Sequence, residues 1–476
     1  LARLRAAPWP TIALAALSLA AVVGFLVYPT FPNYDSYYSL LWGRELLHLQ
    51  TPSFEAYRAP TEHPLAIAFG ALLSLLGRNG DRVMVAATLG SFVALAAGMY
   101  SLARAAFTPL VGLIAAGLLC TRFDFPFLAA RAYIDIPFLA FVVWAAALEA
   151  RRPRRGLPVF LLLAAASLMR PEAWLISGLY WLWWAVRADW PARIRYALLT
   201  GAGPVVWVIV DWLVTGHPLF SLQHTSGLAE ELGRTKTLAD VPSATWSFLV
   251  ELDKLPVLAA AILGIGIATW LTPRRIAMPT ALLVIGLGTF GLVGVAGLSV
   301  IERYLLVPSL MVMVFAAVTI GGWTMLEEGN RLRRAWAAGA VALVAFGVVF
   351  TATRVHLSSF VNELKFRGAS HQSLERMLAN PALQAGRRCG PVSVPNHKLI
   401  PDTRWVLNAD ADAVIARSDP RQARRIHHGV ALYVTNRLAL LRQAIVTPLD
   451  DPLDSVPMAG FTFVGSSGYY GAYVRC

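Results

Sequence analysis

The chain has 476 residues, of which 57% are hydrophobic and only 14% charged, with a mean hydropathy of +0.57. Soluble domains carry about 25% charged residues, so an ordinary soluble enzyme is excluded and an α-helical polytopic membrane protein is expected. The net charge of +13 does not point to nucleic acid. The arginines fall in short clusters between apolar runs, as the positive-inside rule expects, and neither zinc-type cysteine spacing nor a basic–aromatic recognition motif is present.

Arg3 and Arg5 precede the first apolar run, 10–28. No small-residue cleavage site follows it, so a retained span is expected rather than a signal peptide. Next comes Phe31-Pro32-Asn33-Tyr34-Asp35-Ser36-Tyr37-Tyr38. A carboxylate at a membrane exit is costly near lipid unless a partner or water-filled cavity receives it. Asp35 is therefore either a helix N-cap or an acid/base group held at the membrane surface. Tyr34, Tyr38, Leu41, Trp42 and Leu49 recur at helical spacing, predicting an interfacial helix over 36–48 that lays them on lipid. A second juxtamembrane helix is predicted from His63-Pro64 to Leu76, too short for a span. Glu55, Tyr57, Arg58 and Glu62 lie between the two.

Spans of about 20 apolar residues are then expected near 82–103, 108–124, 134–150, 157–170, 172–187, 195–214, 252–270, 276–298, 301–322 and 334–354. With the first run this makes eleven, and the arginines support that count. An N-terminus inside the cell puts Arg104, Arg151–Arg155, Arg187–Arg195, Arg274–Arg275 and Arg331–Arg334 in inner loops. Only Arg122, Arg131, Arg170 and Arg303 then fall in short outer loops.

Three outer clusters can carry chemistry. Arg122-Phe123-Asp124 is followed by Arg131-Ala132-Tyr133-Ile134-Asp135, which places Arg131 four residues before Asp135, a spacing that can pair them on one helical face, the bland alternative being Asp135 as a helix cap. Pro137 suits the first turn of the following span. Arg170-Pro171-Glu172 offers a guanidinium to a lipid phosphate, the bland alternatives being snorkelling or a pair with Glu172. Glu302-Arg303-Tyr304 offers a second cation and a phenol donor.

Beyond residue 354 the texture changes to short apolar runs, mixed charge and turn residues. A helix over 356–378 is expected. Strands are expected at 392–394, 413–416, 430–434 and 461–464, with 469–474 pairing as a hairpin across Gly465–Gly468. This makes a small extracytoplasmic α/β domain, 355–476, beside a transmembrane domain of 1–354 whose outer loop, 29–81, carries the juxtamembrane helices. Cys389 and Cys476 both fall in that domain, where a disulfide between them can persist. Cys120 lies in a span and is expected to be a buried small hydrophobe.

In order and spacing, Tyr34-Asp35-Ser36-Tyr37-Tyr38, His63-Pro64-Leu65, Arg131-Ala132-Tyr133-Ile134-Asp135 and Glu302-Arg303-Tyr304-Leu305 resemble the GT-C superfamily of integral-membrane glycosyltransferases. That superfamily includes protein O-mannosyltransferases and the aminoarabinose transferases of lipid A. The resemblance is strongest over 10–190 and weaker to about 320. It implies an integral plasma-membrane enzyme that moves a sugar from a polyprenyl-phosphate donor to an acceptor hydroxyl on the extracytoplasmic face, the acceptor being lipid, polysaccharide or protein. Asp35 would be the general base and Asp135 the second catalytic carboxylate, orienting the acceptor or Arg131. Arg170 and Arg303 would stabilise the departing phosphate, and Arg131, Tyr304, His63, Glu62 and Tyr38 would line the substrate site. Asp35-Ser36 stands where the mannosyltransferases have Asp-Glu, and a single proline follows His63. The outer loops also lack room for a large sugar-binding insertion, so protein mannosylation is the less supported acceptor chemistry. A divalent metal is compatible with Asp35, Glu55, Glu62 and Asp135 as oxygen ligands, but no ligand spacing identifies one. The competing class is a glycolipid flippase, and a non-catalytic envelope-assembly protein is the third. Transporters show internal repeats and mid-span polar sites, and no such repeat is visible here.

Overall fold

The computed structural model describes residues 9–233, 238–298, 300–354, 357–436, 439–440 and 458–476. Arg3, Arg5 and His356 lie outside them. In chain order the first helices are α1 (Trp9–Val27), α2 (Tyr34–Leu47), α3 (Pro64–Ser74), α4 (Gly80–Ala106), α5 (Pro109–Thr121), α6 (Asp124–Ala130) and α7 (Asp135–Arg151). They continue with α8 (Leu157–Met169), α9 (Glu172–Ala185), α10 (Trp190–Thr215), α11 (Phe220–Glu231), α12 (Val241–Asp253), α13 (Leu255–Leu271), α14 (Ala277–Val295), α15 (Leu306–Gly321) and α16 (Arg331–Arg354). The last four are α17 (Leu357–Leu378), α18 (Pro381–Gly386), α19 (Ile400–Leu407) and α20 (Pro420–Ala423). Starts follow local chemistry. Asn33 caps α2 by accepting the Ser36 N–H at 2.8 Å, Thr108 caps α5, and prolines open α3, α5, α8 and α13, where a missing N–H costs nothing.

Each of the eleven apolar runs carries a helix. Among the described residues six helices are long and apolar enough to cross a membrane, or up to eight if each bent pair counts as one span. The chain is thus an integral membrane protein. Length separates the six from the other five runs: α5, α7, α8, α9 and α13 have 13–17 residues, whereas α15 with its flanking 3₁₀ turns runs from Glu302 to Met325. The bends have local causes. At the 104° break between α12 and α13, Lys254 takes φ +67° and Pro256 follows. The 65° break between α5 and α6 falls at Arg122–Phe123.

The chain packs as two compact units. The first comprises 1–26, 87–210 and 222–360, and the second 27–86, 211–221 and 361–476. The first unit is a helical bundle centred on α15, which is buried along most of its length against α5, α13 and α14. In the second, β1 (Val392–Val394), β2 (Val414–Ala416), β3 (Gly429–Val434), β4 (Thr462–Ser467) and β5 (Tyr470–Arg475) form one sheet in the order β2-β1-β3-β5-β4. β1 pairs parallel with β2 and β3, while β5 runs antiparallel to β3 and β4. Leu374, Leu383, Val392, Val430, Leu432 and Ala472 lie in its core. The expected hairpin forms with a tighter turn. Ser467 pairs with Tyr470, so Gly465–Ser467 belong to β4. The reason is Gly468, whose φ of +56° makes the two-residue turn. Cys389 and Cys476 are bonded, tying the end of β5 to the residues after α18. Cys120 is half-buried, not buried.

One expectation about α2 fails. Tyr38, Leu41 and Trp42 do not face lipid; they are fully buried within the second unit, whereas Leu49 is exposed. Both faces of α2 are covered, by α3 and by α19. Amphipathic spacing identifies an apolar face but not what covers it.

Candidate active site

In the second unit the cap of α2 is Asn33, which leaves Asp35 in the first helical turn with its carboxylate not needed for capping. A negative charge is favoured there by the helix dipole. Asp35 is half-buried. Beside it the Tyr34 ring stands edge-on to Tyr38 at 5.1 Å and to His397 at 5.6 Å, with Lys398 Nζ 5.1 Å from its centroid. Tyr34 Oη donates to the Arg58 carbonyl at 2.6 Å, holding the loop at a residue with φ +52°. Burial holds the Tyr34 phenol well above the usual tyrosine range, with Tyr38 and the negative charge of Asp35 adding to it. Burial likewise pushes Tyr38 up to about 12. Both phenols therefore keep their protons at neutral pH. The turn that presents His397 and Lys398 is fixed by buried Asn396, whose side chain accepts the Lys398 N–H at 3.0 Å.

The other end of α2 is anchored by an ion pair. Arg404, wholly buried, donates to Glu45 Oε1 at 2.6 Å, and Ser53 adds its N–H to Glu45 Oε2 at 2.7 Å. Arg44 donates to Asn408 Oδ1 and to the Ala409 carbonyl, each at 2.8 Å. Of the residues expected to line a substrate site, Tyr38 is sealed from solvent, while His63 and Glu62 are buried where the loop enters α3. Burial pushes Glu62 up to about 8, with Asp211 adding to the rise. That shift favours the protonated carboxyl at neutral pH.

In the first unit Asp135 has no exposed surface and receives two guanidiniums. Arg170 Nη1 bonds Oδ1, and Arg303 Nη1 lies 3.5 Å from Oδ2. Arg170 also holds Glu172 at 2.7 Å and lies 5.1 Å from the Tyr304 centroid. Arg303 lies 5.4 Å from the Tyr133 centroid. The expected Arg131–Asp135 helical face does not exist, because α6 ends at Ala130, α7 starts at Asp135, and Ala132 between them has φ +53°. Arg131 is buried at the end of α6. Arg303 is 28% exposed against 8% for Arg170, so Arg303 is the better placed to meet a ligand.

Sequence reasoning picked out Arg122 but missed its partner Asp253, and it missed Arg404 and Lys398. Arg122 donates to the Asp253 carbonyl at 2.9 Å, and the buried Asp253 carboxylate accepts from Ser309 at 3.0 Å. Asp253 lay at the entrance of an expected span, between Glu251 and Lys254, and an acid at a span entrance was the available signal. Arg404 and Lys398 carried no local signal at all. Among the described residues no three His, Cys, Asp or Glu side chains gather as metal ligands. Asp35, Glu55, Glu62 and Asp135 thus do not form a ligand set, and no step is derived through a metal.

No protein-family model matches the sequence, and no curated protein matches it. Solved structures do. The chain is similar to the crystal structure of ArnT from Cupriavidus metallidurans bound to undecaprenyl phosphate, with a TM-score of 0.56, 13% identity and 98% of each chain covered. It is also similar to the apo oligosaccharyltransferase of Archaeoglobus fulgidus, with a TM-score of 0.55, 11% identity, and coverage of 98% of this chain and 75% of that one. The same organism's oligosaccharyltransferase AglB, solved with an inhibitory peptide and a dolichol-phosphate, gives a TM-score of 0.54 at 12% identity, covering 98% and 74%. The fold is the GT-C fold of membrane glycosyltransferases.

Proposed function

We propose that this GT-C-fold chain is a glycosyltransferase that takes its sugar from a polyprenyl-phosphate carrier, with Asp35 as general base. The carboxylate accepts the proton of an acceptor hydroxyl as that oxygen forms its bond to the anomeric carbon. The bond from that carbon to the phosphate oxygen breaks, and the polyprenyl phosphate leaves with the electron pair. A base must lie within hydrogen-bonding reach of the proton it removes, and the carboxylate in the first turn of α2 is the candidate for that role. The observation that carries the assignment is that Asn33 caps α2 while Asp35 lies half-buried in its first turn, next to Tyr34, whose ring meets Lys398 and His397. Arg303, backed by Arg170, takes the charge of the departing phosphate, and Asp135 orients both arginines. Tyr304 lines that cluster; the buried Arg131, Tyr38, His63 and Glu62 support their elements from within.

The carriers bound in the ArnT and AglB structures, undecaprenyl phosphate and dolichol-phosphate, support the donor class. The proposed topology is eleven crossings, with the N-terminus cytoplasmic and the 355–476 α/β domain extracytoplasmic, its 29–81 loop on the same side. The test supplies purified protein in lipid with a polyprenyl-phosphate sugar and hydroxyl-bearing lipid, polysaccharide or peptide acceptors. Transfer is expected. No transfer with any donor, together with donor movement across vesicles, would make the chain a flippase instead.

A further inference from the structure

A cleft of about 680 Å³ separates α1 from α4 and α5, within the size range of small-molecule sites. It shares no lining residue with the Asp135 cluster. No residue of α1 is buried, so that helix stands off from the bundle along the cleft. The walls are apolar and small-featured: Ala13, Leu17, Ala96, Leu113 and Gly117 among them. Among the described residues Arg104 is the one charged residue of the lining, and it sits at the end marked by Pro10 and Pro109, where α1 and α5 begin and α4 closes. Its side chain is exposed but not loose, since Nη1 donates to Tyr100 Oη at 3.4 Å and Cζ lies 5.8 Å from the Tyr100 centroid.

Length identifies the occupant. From Pro109 to Cys120 the lining of α5 covers twelve residues, eleven steps along the helix, about 17 Å at a rise of 1.5 Å per residue. That is about half of the ~30 Å hydrocarbon core, the depth of one leaflet. A one-leaflet apolar slot ending at a fixed cation matches one acyl chain with an anionic headgroup, and basic pockets between membrane helices bind such headgroups.

We propose that the α1/α4/α5 cleft is a binding site for a membrane phospholipid of net negative charge, its acyl chain along Ala96 and Gly117 and its headgroup phosphate on Arg104. An arginine that only snorkels to the interface would give no headgroup preference tied to this cleft. Gly117 supplies a clean probe, because a Cβ added there meets nothing within 4 Å. A larger side chain can therefore fill the cleft without pushing on the backbone.

The full-length protein would be loaded from mixed vesicles of phosphatidylglycerol and phosphatidylcholine with identical chains. The lipids retained after detergent washing would be counted by native mass spectrometry. One retained phosphatidylglycerol is expected, preferred over phosphatidylcholine by about fivefold, the ratio that ~1 kcal/mol per basic residue gives. Arg104→Gln should abolish the preference, Arg104→Lys should keep most of it, and Gly117→Phe should lose the retained lipid. The remote Arg275→Gln should behave as wild type. Equal retention of the two lipids by the wild type, or an unchanged preference in Arg104→Gln, overturns the proposal. So does retention by Gly117→Phe at the wild-type level.

Discussion

Helices α2 and α3 touch through two glycines, and this contact positions the segment that carries Asp35. A Cβ added at Gly43 would stand 2.5 Å from the Gly70 carbonyl carbon, 2.8 Å from the Ile67 oxygen, and closer still to the Ala71 nitrogen. One added at Gly70 would meet the Ser39 backbone. Every obstacle is main chain, so no side chain can turn aside. Carbon contacts settle near 3.5–4.0 Å, so Gly43→Ala must move α2 from α3 by about 1 Å. Overpacking of this kind costs about 1–3 kcal/mol, and the upper end is expected here because two helices must part. A displacement of about 1 Å at a catalytic group costs about 100-fold in rate. Thermal unfolding of the purified protein, followed by tryptophan fluorescence, reads the first effect, and transfer rate reads the second. Gly90→Ala in α4 is the control: nothing lies within 4 Å of its added Cβ, and helix propensity favours alanine by up to ~1 kcal/mol. A Gly43→Ala protein that melts with the wild type and turns over at its rate would refute the close-approach reasoning.

Asp135→Asn leaves Arg170 and Arg303 facing an amide in a fully buried site. Breaking one side of a buried pair costs about 3–5 kcal/mol, so a lower melting temperature is expected, and an unchanged one would contradict the ion-pair geometry. Glu62 titrates near 8 in the fold against 4.5 unperturbed. Its folded pKa is raised, so its contribution is fully present below about 4.5 and is lost as pH rises through about 8, at up to ~1.4 kcal/mol per unit. Stability of the wild type should fall across that window more steeply than that of Glu62→Gln; parallel curves would count against a protonated Glu62. The Cys389–Cys476 bridge spans 87 residues of sequence, for which loop entropy gives about 4–5 kcal/mol. Cys389→Ser should unfold at clearly lower denaturant, and equal midpoints would mean that the open chain retains the loop.

Much of the architecture was legible because it is local. Eleven apolar runs became helices in place, since hydropathy is a property of a window. Strands β1 to β5 fell close to their predicted positions, because alternation and turn residues are equally local, and the cysteine pair was readable from its place in one small domain. What escaped depends on partners distant in sequence. Asp135 chose Arg170 and Arg303, 35 and 168 residues away, instead of Arg131 four residues before it. Glu45 and Arg404 are 359 residues apart, and no pattern near either announces the other. The covered face of α2 belongs to the same class, since its lid, α19, lies in the C-terminal region. Asp35 stood out because its setting is a short ordered motif, but His397 and Lys398, which meet the ring of its neighbour Tyr34, come from the far end of the chain.

The most direct test of the account compares wild type with Asp35→Asn in lipid, supplied with a polyprenyl-phosphate sugar and an acceptor on which the wild type is active. Loss of general-base catalysis typically costs 10²–10⁴-fold. A rate lower by at least about 100-fold, with the melting temperature and donor affinity unchanged, is the predicted result. Transfer by Asp35→Asn at the wild-type rate would contradict the assignment of Asp35 as the base.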